Sequence, residues 1–568
     1  MTGFIGPALI GLLGAIMVLL PRFLRGLLPG FPWFLPVTFL GFTFLVAGFH
    51  HLWARRKTPL DSYDGLPDLF IHVHSPANPE SSIRWVIRGV VSFGLALFGA
   101  TVGTEGAAIE FSKSVLLRKT SKTSRWSENR RRTDAAVALA TGISAAFAAP
   151  FAAVVMPIEL GLGGSAINTV IASVSAFFWL KFFDTQRFFE GWVPNGLSAE
   201  HFDITGVLFP FRLSGARDWI GVLAVTLAVG LFATALIRFI RYCKESVADL
   251  FRGAPWMKVL GAGFLLFLVM LIYKGGHEAP QALLEAVLWD KKAPLECGLL
   301  VLSLTLTLAL VLSAFGSSGV IWPVFVLGGV LSVLVDQWAL GLLPGHSSVA
   351  GLVGASAMLG AVLGAPLAGS LLAFELTGNY NILLPCLLAS FGAVQIRKGL
   401  GTRSLIELDL EARGLHTVHG RSLDILKRLT VQEAMVTDHQ SVLEHDPVTD
   451  LHSRLIQSRY PFLPVVSAQG KYAGLLTLDM VEDAWHSDTP EASHSPLSKL
   501  LEAKDLLYRS KVKAPTVKSH DSLSLAQSLF EEYPCIPVID DERRVIGLLF
   551  VHNVRLAYDR EAARQSMI

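Results

Sequence analysis

The sequence predicts an all-α polytopic membrane domain with broken helices, followed by a smaller α/β soluble module. Three observations lead there. Hydrophobic residues fill 52% of the 568 positions and charged residues only 17%, too apolar a balance for a soluble globular chain of this length. Apolar runs recur from residue 5 to residue 395, several matching the ~20 residues that cross a hydrocarbon core and others cut short by Gly and Pro. Near residue 400 the runs stop, and mixed sequence with short β-like strings such as "PFLPVV" and "YAGLL" takes over.

The first apolar run starts at Ile5 with no basic residue before it, so "MTGFIGPALIGLLGAIMVLLPRFLRG" reads as a retained helix and not as a signal peptide. Further runs lie near 35–50, 85–103, 135–158, 166–182, 218–238, 257–273, 298–314, 320–343, 349–376 and 382–395. Broken helices are tolerated in a bilayer where they line a cavity or are buried in protein. "ARRK" at 54–57 and the run from Arg118 to Arg132 are basic loops, which the positive-inside rule places in the cytoplasm. Cys243, Cys297, Cys386 and Cys535 are scattered, with no CxxC and no Cys/His cluster, so neither a disulfide framework nor a metal site is expected. A net charge of +2 gives no reason to expect a nucleic-acid partner. The compact size and short loops suggest a bacterial source, which would place the chain among the lipids of a plasma membrane.

Both parts repeat. In the membrane part, "AAFAAPFAAVVMPIEL" (145–160) parallels "GAVLGAPLAGSLLAFEL" (360–376), and the step from Pro150 to Glu159 is the step from Pro366 to Glu375. A Gly-rich break precedes each: "GTEGA" (103–107) and "GSSGVIWP" (316–323). Paired breaks in corresponding halves point to a transport site at the repeat interface. In the soluble part, "YPFLPVVSAQGKYAGLLTLDMVEDA" (460–484) matches "YPCIPVIDDERRVIGLLFVHNVRLA" (533–557) without a gap, each copy reading as strand, turn, strand, helix. A helix-like segment, "PVTDLHSRLIQS" or "SLSLAQSLFEE", precedes each copy.

The breaks carry the chemistry. A helix N-terminus offers unpaired N–H groups and about half a positive charge. Several such ends converging in a membrane make an anion site without Lys or Arg. "GTEGA", "GSSGVIWP" and "SYDGLPDL" (62–69) all look like starts of buried helices. Glu105 then has two readings. Its carboxylate can occupy the anion's own place and leave when protonated, a competitive pH-sensitive gate; or it simply caps a helix.

At these residues the chain resembles the CLC family of chloride channels and proton/chloride exchangers. "YDGLP" (63–67), "GTEGA" (103–107) and "GVIWP" (319–323) stand in the order of that family's motifs, and "AAFAAPFAAVV" and "GAPLAGSLLAFELTGNYNILLP" are similar to it as well. The soluble repeat resembles a CBS domain pair. The resemblance implies a transport domain at 1–415, a linker at 416–429, and CBS domains at 430–490 and 491–562 in the cytoplasm. It implies an inverted-repeat fold and a homodimer with one path per subunit. The permeant species it implies is chloride or another small anion.

Carried over residue by residue, Glu105 matches the family's gating glutamate. Gly65, Gly103, Gly106, Ala107, Gly319, Val320 and Ile321 match its anion-coordinating helix starts, Ala107 replacing the usual proline. Other positions depart. The central serine falls on Asp64, unless the register slips and Ser62 takes its place; the central tyrosine falls on Ile406. The exchangers' internal proton-relay glutamate falls on Leu160, with Glu159 beside it as a substitute. Leu160 cannot carry a proton, so passive conduction gated by Glu105 is expected, with proton-coupled exchange the alternative. In the CBS pair Thr477 keeps one nucleotide-site hydroxyl, while Met480, Phe550 and Asn553 replace other expected positions. An adenine nucleotide at Thr477 and Asn553 therefore competes with a purely dimerising module, and no other cofactor is expected. An enzyme is disfavoured by the lack of HExxH, GxSxG or P-loop strings. A cation carrier would run along Asp64, Glu105 and Glu159.

Overall fold

The computed structural model describes residues 2–27, 34–54, 65–74, 82–100, 102–120, 128–185, 215–251, 254–272, 293–338, 347–412, 429–457, 462–486, 501–510, 515–530 and 533–566, with the single positions 283, 288 and 426. It divides into two compact units, Met1–Arg421 and Ser422–Ile568. The basic stretch 55–57, most of the loop before Glu128, and the segment joining the units lie outside the described residues.

The first unit is helical throughout. Its first half runs α1 (Thr2–Leu27), α2 (Phe34–Ala54), α3 (Pro67–His74), α4 (Ser82–Leu97), α5 (Glu105–Thr120), α6 (Glu128–Phe147), α7 (Pro150–Glu159) and α8 (Ala166–Thr185). The second runs α9 (Ala216–Leu250), α10 (Pro255–Ile272), α11 (Pro294–Ala314), α12 (Ile321–Trp338), α13 (Ser347–Leu363), α14 (Pro366–Thr377), α15 (Tyr380–Gly399) and α16 (Leu405–Ala412). Among the described residues α8, α9, α11, α12 and α15 are long and apolar enough to cross a membrane. Their outer faces are apolar at helical spacing. On α9, Leu223, Leu227 and Leu231 are exposed; on α8, Val170, Val174, Phe178 and Phe182 are. Such stripes suit hydrocarbon, not water.

The repeat is visible in the backbone. Before α7, Ala148 takes φ 53 and Ala149 φ −121; before α14, Gly364 takes φ 86 and Ala365 φ −122. Each pair turns a preceding helix into one whose first residue is proline, where the missing N–H is no loss. Short α7 and α14 pack together and cap one another. Glu159, the last residue of α7, accepts the N–H groups of Leu367 and Ala368 at 2.8 Å each. Glu375 on α14 accepts those of Phe151 and Ala152 at 2.8 and 2.7 Å. Four helix-end donors are thus satisfied by two carboxylates related through the repeat.

The second unit holds two three-stranded sheets of the same plan. The first has β1 (Val442–Leu443), β2 (Phe462–Val466) and β3 (Tyr472–Thr477), with α17 (Val448–Gln457) before β2 and α18 (Leu478–His486) after β3. In it β1 pairs parallel to β2, and β2 antiparallel to β3. After α19 (Ala503–Ser510), the second repeats this with β4 (Val517–Lys518), α20 (Leu523–Leu529), β5 (Cys535–Ile539), β6 (Val545–Phe550) and α21 (Val551–Ser566). The bulge between Val465 and Val466 recurs between Val538 and Ile539. The copies also exchange segments. Val431 and Ala434 enter the core of the second sheet, whereas Ala503 and Leu506 of α19 enter the core of the first. A cut at residue 490 would therefore leave each core missing a piece, because each copy is completed by the segment ahead of the other.

The reciprocal caps predict matched losses. Glu159→Ala and Glu375→Ala should each destabilise the first unit by about 1–2 kcal/mol, the scale of a lost helix cap. Thermal unfolding in detergent checks this; losses of very different size would show that the two halves do not share the load.

Candidate functional site

The starts of α5 and α12 meet backbone to backbone. Gly103 N–H donates to Gly319 O at 3.0 Å. A β-carbon on Gly106 would fall on the Gly319 amide, and one on Gly319 would fall on Gly103 O. These glycines let two helix ends cross at a separation closed to any other residue. Gly65, with φ 82, brings the chain ahead of α3 against Ser317 O in the same way. The three breaks expected to converge therefore do so at these positions. Ala107, Val320 and Ile321 are buried beside the crossing. Among the described residues, the N–H groups of Ala107 and Ile321 take no hydrogen-bond partner.

Glu105 opens α5 and is wholly buried. Its Oε1 accepts the N–H of Trp322, in the first turn of α12, at 3.0 Å. Its carboxylate lies across Gly103, where a β-carbon would overlap it. The Trp322 ring stacks on Phe147 with centroids 4.1 Å apart, which fixes the amide that meets the carboxylate. A carboxyl group thus sits at a helix start, within the field of that end.

A buried polar network under the crossing holds the breaks in place, and its charged members Arg88 and Glu110 did not stand out in the sequence. Arg88 on α4 pairs with Asp68 of α3 at 3.0 Å. Its Nη2 donates to Gly65 O at 3.1 Å and Gly316 O at 3.4 Å, tying the segments that lead into α3 and α12. The guanidinium lies 4.5 Å from the Trp85 ring centroid. Glu110, fully buried on α5, accepts Ser318 N–H at 3.0 Å. The Ser92 and Ser317 hydroxyls are 2.8 Å apart, and Ser317 Oγ accepts Gly319 N–H at 3.1 Å. The available signal was a charged residue inside each of two apolar helices, "VIRGVV" and "AAIEFS".

Ile406, on α16, reaches the crossing through a void of about 10 Å³ shared with Leu66, Pro67, Val320 and Leu363. That is the volume of about one water. Ile406 and Leu363 also line a cavity of about 220 Å³, together with Glu159, Leu160, Arg397 and Glu407. Glu159 and Leu160 thus line the larger cavity together with Ile406. Asp64 and Ser62 lie outside the described residues. Thr477 and Asn553 belong to the second unit. The Thr477 hydroxyl accepts Met480 N–H at 3.3 Å and caps α18. Asn553 is on α21, and its Oδ1 is buried without a hydrogen-bond partner. Among the described residues no group of His, Cys, Asp and Glu could hold a metal ion.

Residues 8–398 match the protein family described as voltage gated chloride channel. The chain belongs to that family. Residues 431–485 and 503–559 match the CBS domain. A eukaryotic CLC transporter of known structure shares the fold at a TM-score of 0.61 and 17% identity, covering 97% of each chain. A slow cyanobacterial Cl−/H+ antiporter gives 0.56 at 18% identity, over 72% of this chain and 97% of that one. A CLC-type fluoride/proton antiporter gives 0.56 at 18%, over 72% and 96%. The homoserine O-acetyltransferase of Methanocorpusculum labreanum is 28% identical over 135 residues, 23% of this chain; the match spans a quarter of that enzyme's length. CLC proteins are anion transporters and channels, so this chain is an anion-transport protein of the membrane carrying a CBS pair.

The network predicts a large penalty for opening it. Arg88→Met removes the buried cation that pairs with Asp68 and donates to Gly65 O and Gly316 O, which should cost about 3–5 kcal/mol. Pairing it with Asp68→Leu should recover part of the loss. Unfolding midpoints of the single and double variants in detergent measure both; equal midpoints would show that Arg88 does not organise the breaks.

Proposed function

We propose that the chain conducts chloride, or another small anion, passively through the crossing of α5 and α12, with Glu105 as its gate. The observation that carries this reading is the bond from Trp322 N–H to the Glu105 carboxylate at 3.0 Å. An ionised carboxylate occupies a helix-start donor that an anion would otherwise use, so the two compete. Protonation removes the charge, weakens that bond and frees the position for the permeant ion. Flux should therefore rise as pH falls.

Passive conduction is supported by two positions. Leu160 has no proton to give. Glu159 has both oxygens engaged as the cap of α14, and Glu375 does the same for α7, so capping accounts for the carboxylate without a relay. Coupled exchange remains the second reading, because Glu110 is a carboxylate fully buried on the same helix as the gate. Each subunit of a homodimer would carry its own path, with the CBS pair in the cytoplasm. The CBS pair is read as a structural module first and an adenine-nucleotide site second, since Thr477 is occupied with a local cap.

Two measurements in proteoliposomes test the reading. Glu105→Gln should raise anion flux several-fold near neutral pH and flatten its pH dependence. Unchanged flux and an unchanged profile would leave Glu105 as a cap only. In the unaltered protein, a chloride gradient should move no protons; a fixed chloride-to-proton ratio would replace passive conduction with exchange, and loss of that coupling in Glu110→Gln would place the relay on α5.

A further inference from the structure

The short helix α16 carries three carboxylates, Glu407, Asp409 and Glu411, beside the proposed anion path. Each is met by a cation. Arg397 stands 3.5 Å from Glu407, Lys244 is 2.7 Å from Asp409, and Arg403 is 2.9 Å from Glu411. The three places differ. Glu411 and Arg403 are both more than a third exposed, where an ion pair is worth little. Glu407 lines the larger cavity and closes the start of its own helix through Ser404. Asp409 is the charged residue in the lining of the small void at the crossing. It follows Ile406 by three residues, so the two share a face of α16.

A carboxylate in that wall is out of place. The void also touches Leu66 and Pro67 at the start of α3 and Val320 before α12, and its other lining residues are apolar. An ionised group there would lower the local anion concentration, since a fixed charge acts across a low-dielectric wall with little screening. Lys244 answers it from α9. Its Nζ donates to Asp409 Oδ2 at 2.7 Å, and the two side chains are only 15% and 12% exposed. Charge-assisted bonds of this length are the strong ones. The same helix also holds the approach to α16. Arg238, under two turns before Lys244, donates to Leu400 O at 2.8 Å and to Thr402 Oγ1 at 3.1 Å.

We propose that Lys244 is a positioning residue for transport: by holding and neutralising the Asp409 carboxylate, it keeps a negative charge from acting on the anion that passes Ile406. This rests on the anion-transport reading and names a residue on α9 that tunes how strongly the path takes an anion. A mere strut between α9 and α16 would behave differently. Cutting a strut at either end weakens it alike. A charge shield gives opposite results for its two partners. Removing the cation leaves the carboxylate's charge in the wall, whereas removing the carboxylate leaves the cation's.

Chloride flux in proteoliposomes of the full-length protein, measured against chloride concentration, separates the two. Lys244→Met should raise the half-saturating concentration about tenfold, or ~1.4 kcal/mol, and Lys244→Arg should keep it within about threefold. Asp409→Asn should lower it about threefold, because the Lys244 cation then acts unopposed. Lys244→Met combined with Asp409→Asn should return it to within about threefold of the unaltered protein. A rise in both single variants, or a double variant no better than Lys244→Met, overturns the proposal and leaves the transport reading standing. So does an unchanged half-saturation in Lys244→Met. If Lys244→Met does not fold, the direction of the change in Asp409→Asn decides: a fall supports the proposal, and a rise or no change overturns it. If the unaltered protein passes no anion, the transport reading falls and this role for Lys244 falls with it.

Discussion

The membrane unit depends on two helix ends touching where there is no room for a side chain. Gly106 on α5 meets the Gly319 amide before α12, and Gly103 N–H closes the contact on Gly319 O. Everything else in the site follows from that separation. It sets Trp322 N–H, in the first turn of α12, within reach of Glu105 at the start of α5. It also forces the chain ahead of each helix into turns whose carbonyls must be satisfied at membrane depth, where an unsatisfied group costs several kcal/mol. Arg88 meets that demand by donating to Gly65 O and Gly316 O at once. A lysine at this place would be a point donor; the fork of a guanidinium spans two carbonyls and a carboxylate.

The same economy of donors governs the helix ends away from the site. Two short helices start with proline after an Ala or Gly in the left-handed region, and each closes the other's first turn with a carboxylate. Glu159 and Glu375 are costly groups for a membrane interior, and their retention is accounted for by four N–H groups that have no intrahelical acceptor. An acidic residue in an apolar helix therefore has three settings in this one chain: a helix start whose carboxylate meets the amide of another helix, a cap, and a partner for a buried arginine.

The sequence made the first of these legible and blurred the others. The glycines around Glu105, the order of the breaks and the Pro-to-Glu step of the repeat are local strings, and local strings survive being read in one dimension. The CBS copies were legible for the same reason. Arg88, Asp68 and Glu110 were not, because each is an isolated charge whose partners lie on other helices; only the fold brings Arg88 to both breaks. The exchange of segments between the CBS copies was hidden likewise. Alignment pairs like with like, whereas Val431 and Leu506 each complete the unlike sheet. Glu159 stood out through the Pro-to-Glu step and again beside Leu160, but its work as a cap could be assigned only once Leu367 and Ala368 were seen to donate to it.

The departures from the family pattern are then better taken together than singly. Replacing a hydroxyl with Ile406 and a relay carboxylate with Leu160 removes polar groups from one stretch of wall. The charged groups on that cavity are Glu159, Arg397, Lys398 and Glu407, with Arg397 paired to Glu407 at 3.5 Å. Under the proposed reading, backbone N–H groups at the crossing are the donors left to an anion where side-chain hydroxyls are lost. Under that reading the titratable step narrows to Glu105, whose carboxylate holds the amide that a permeant ion would use.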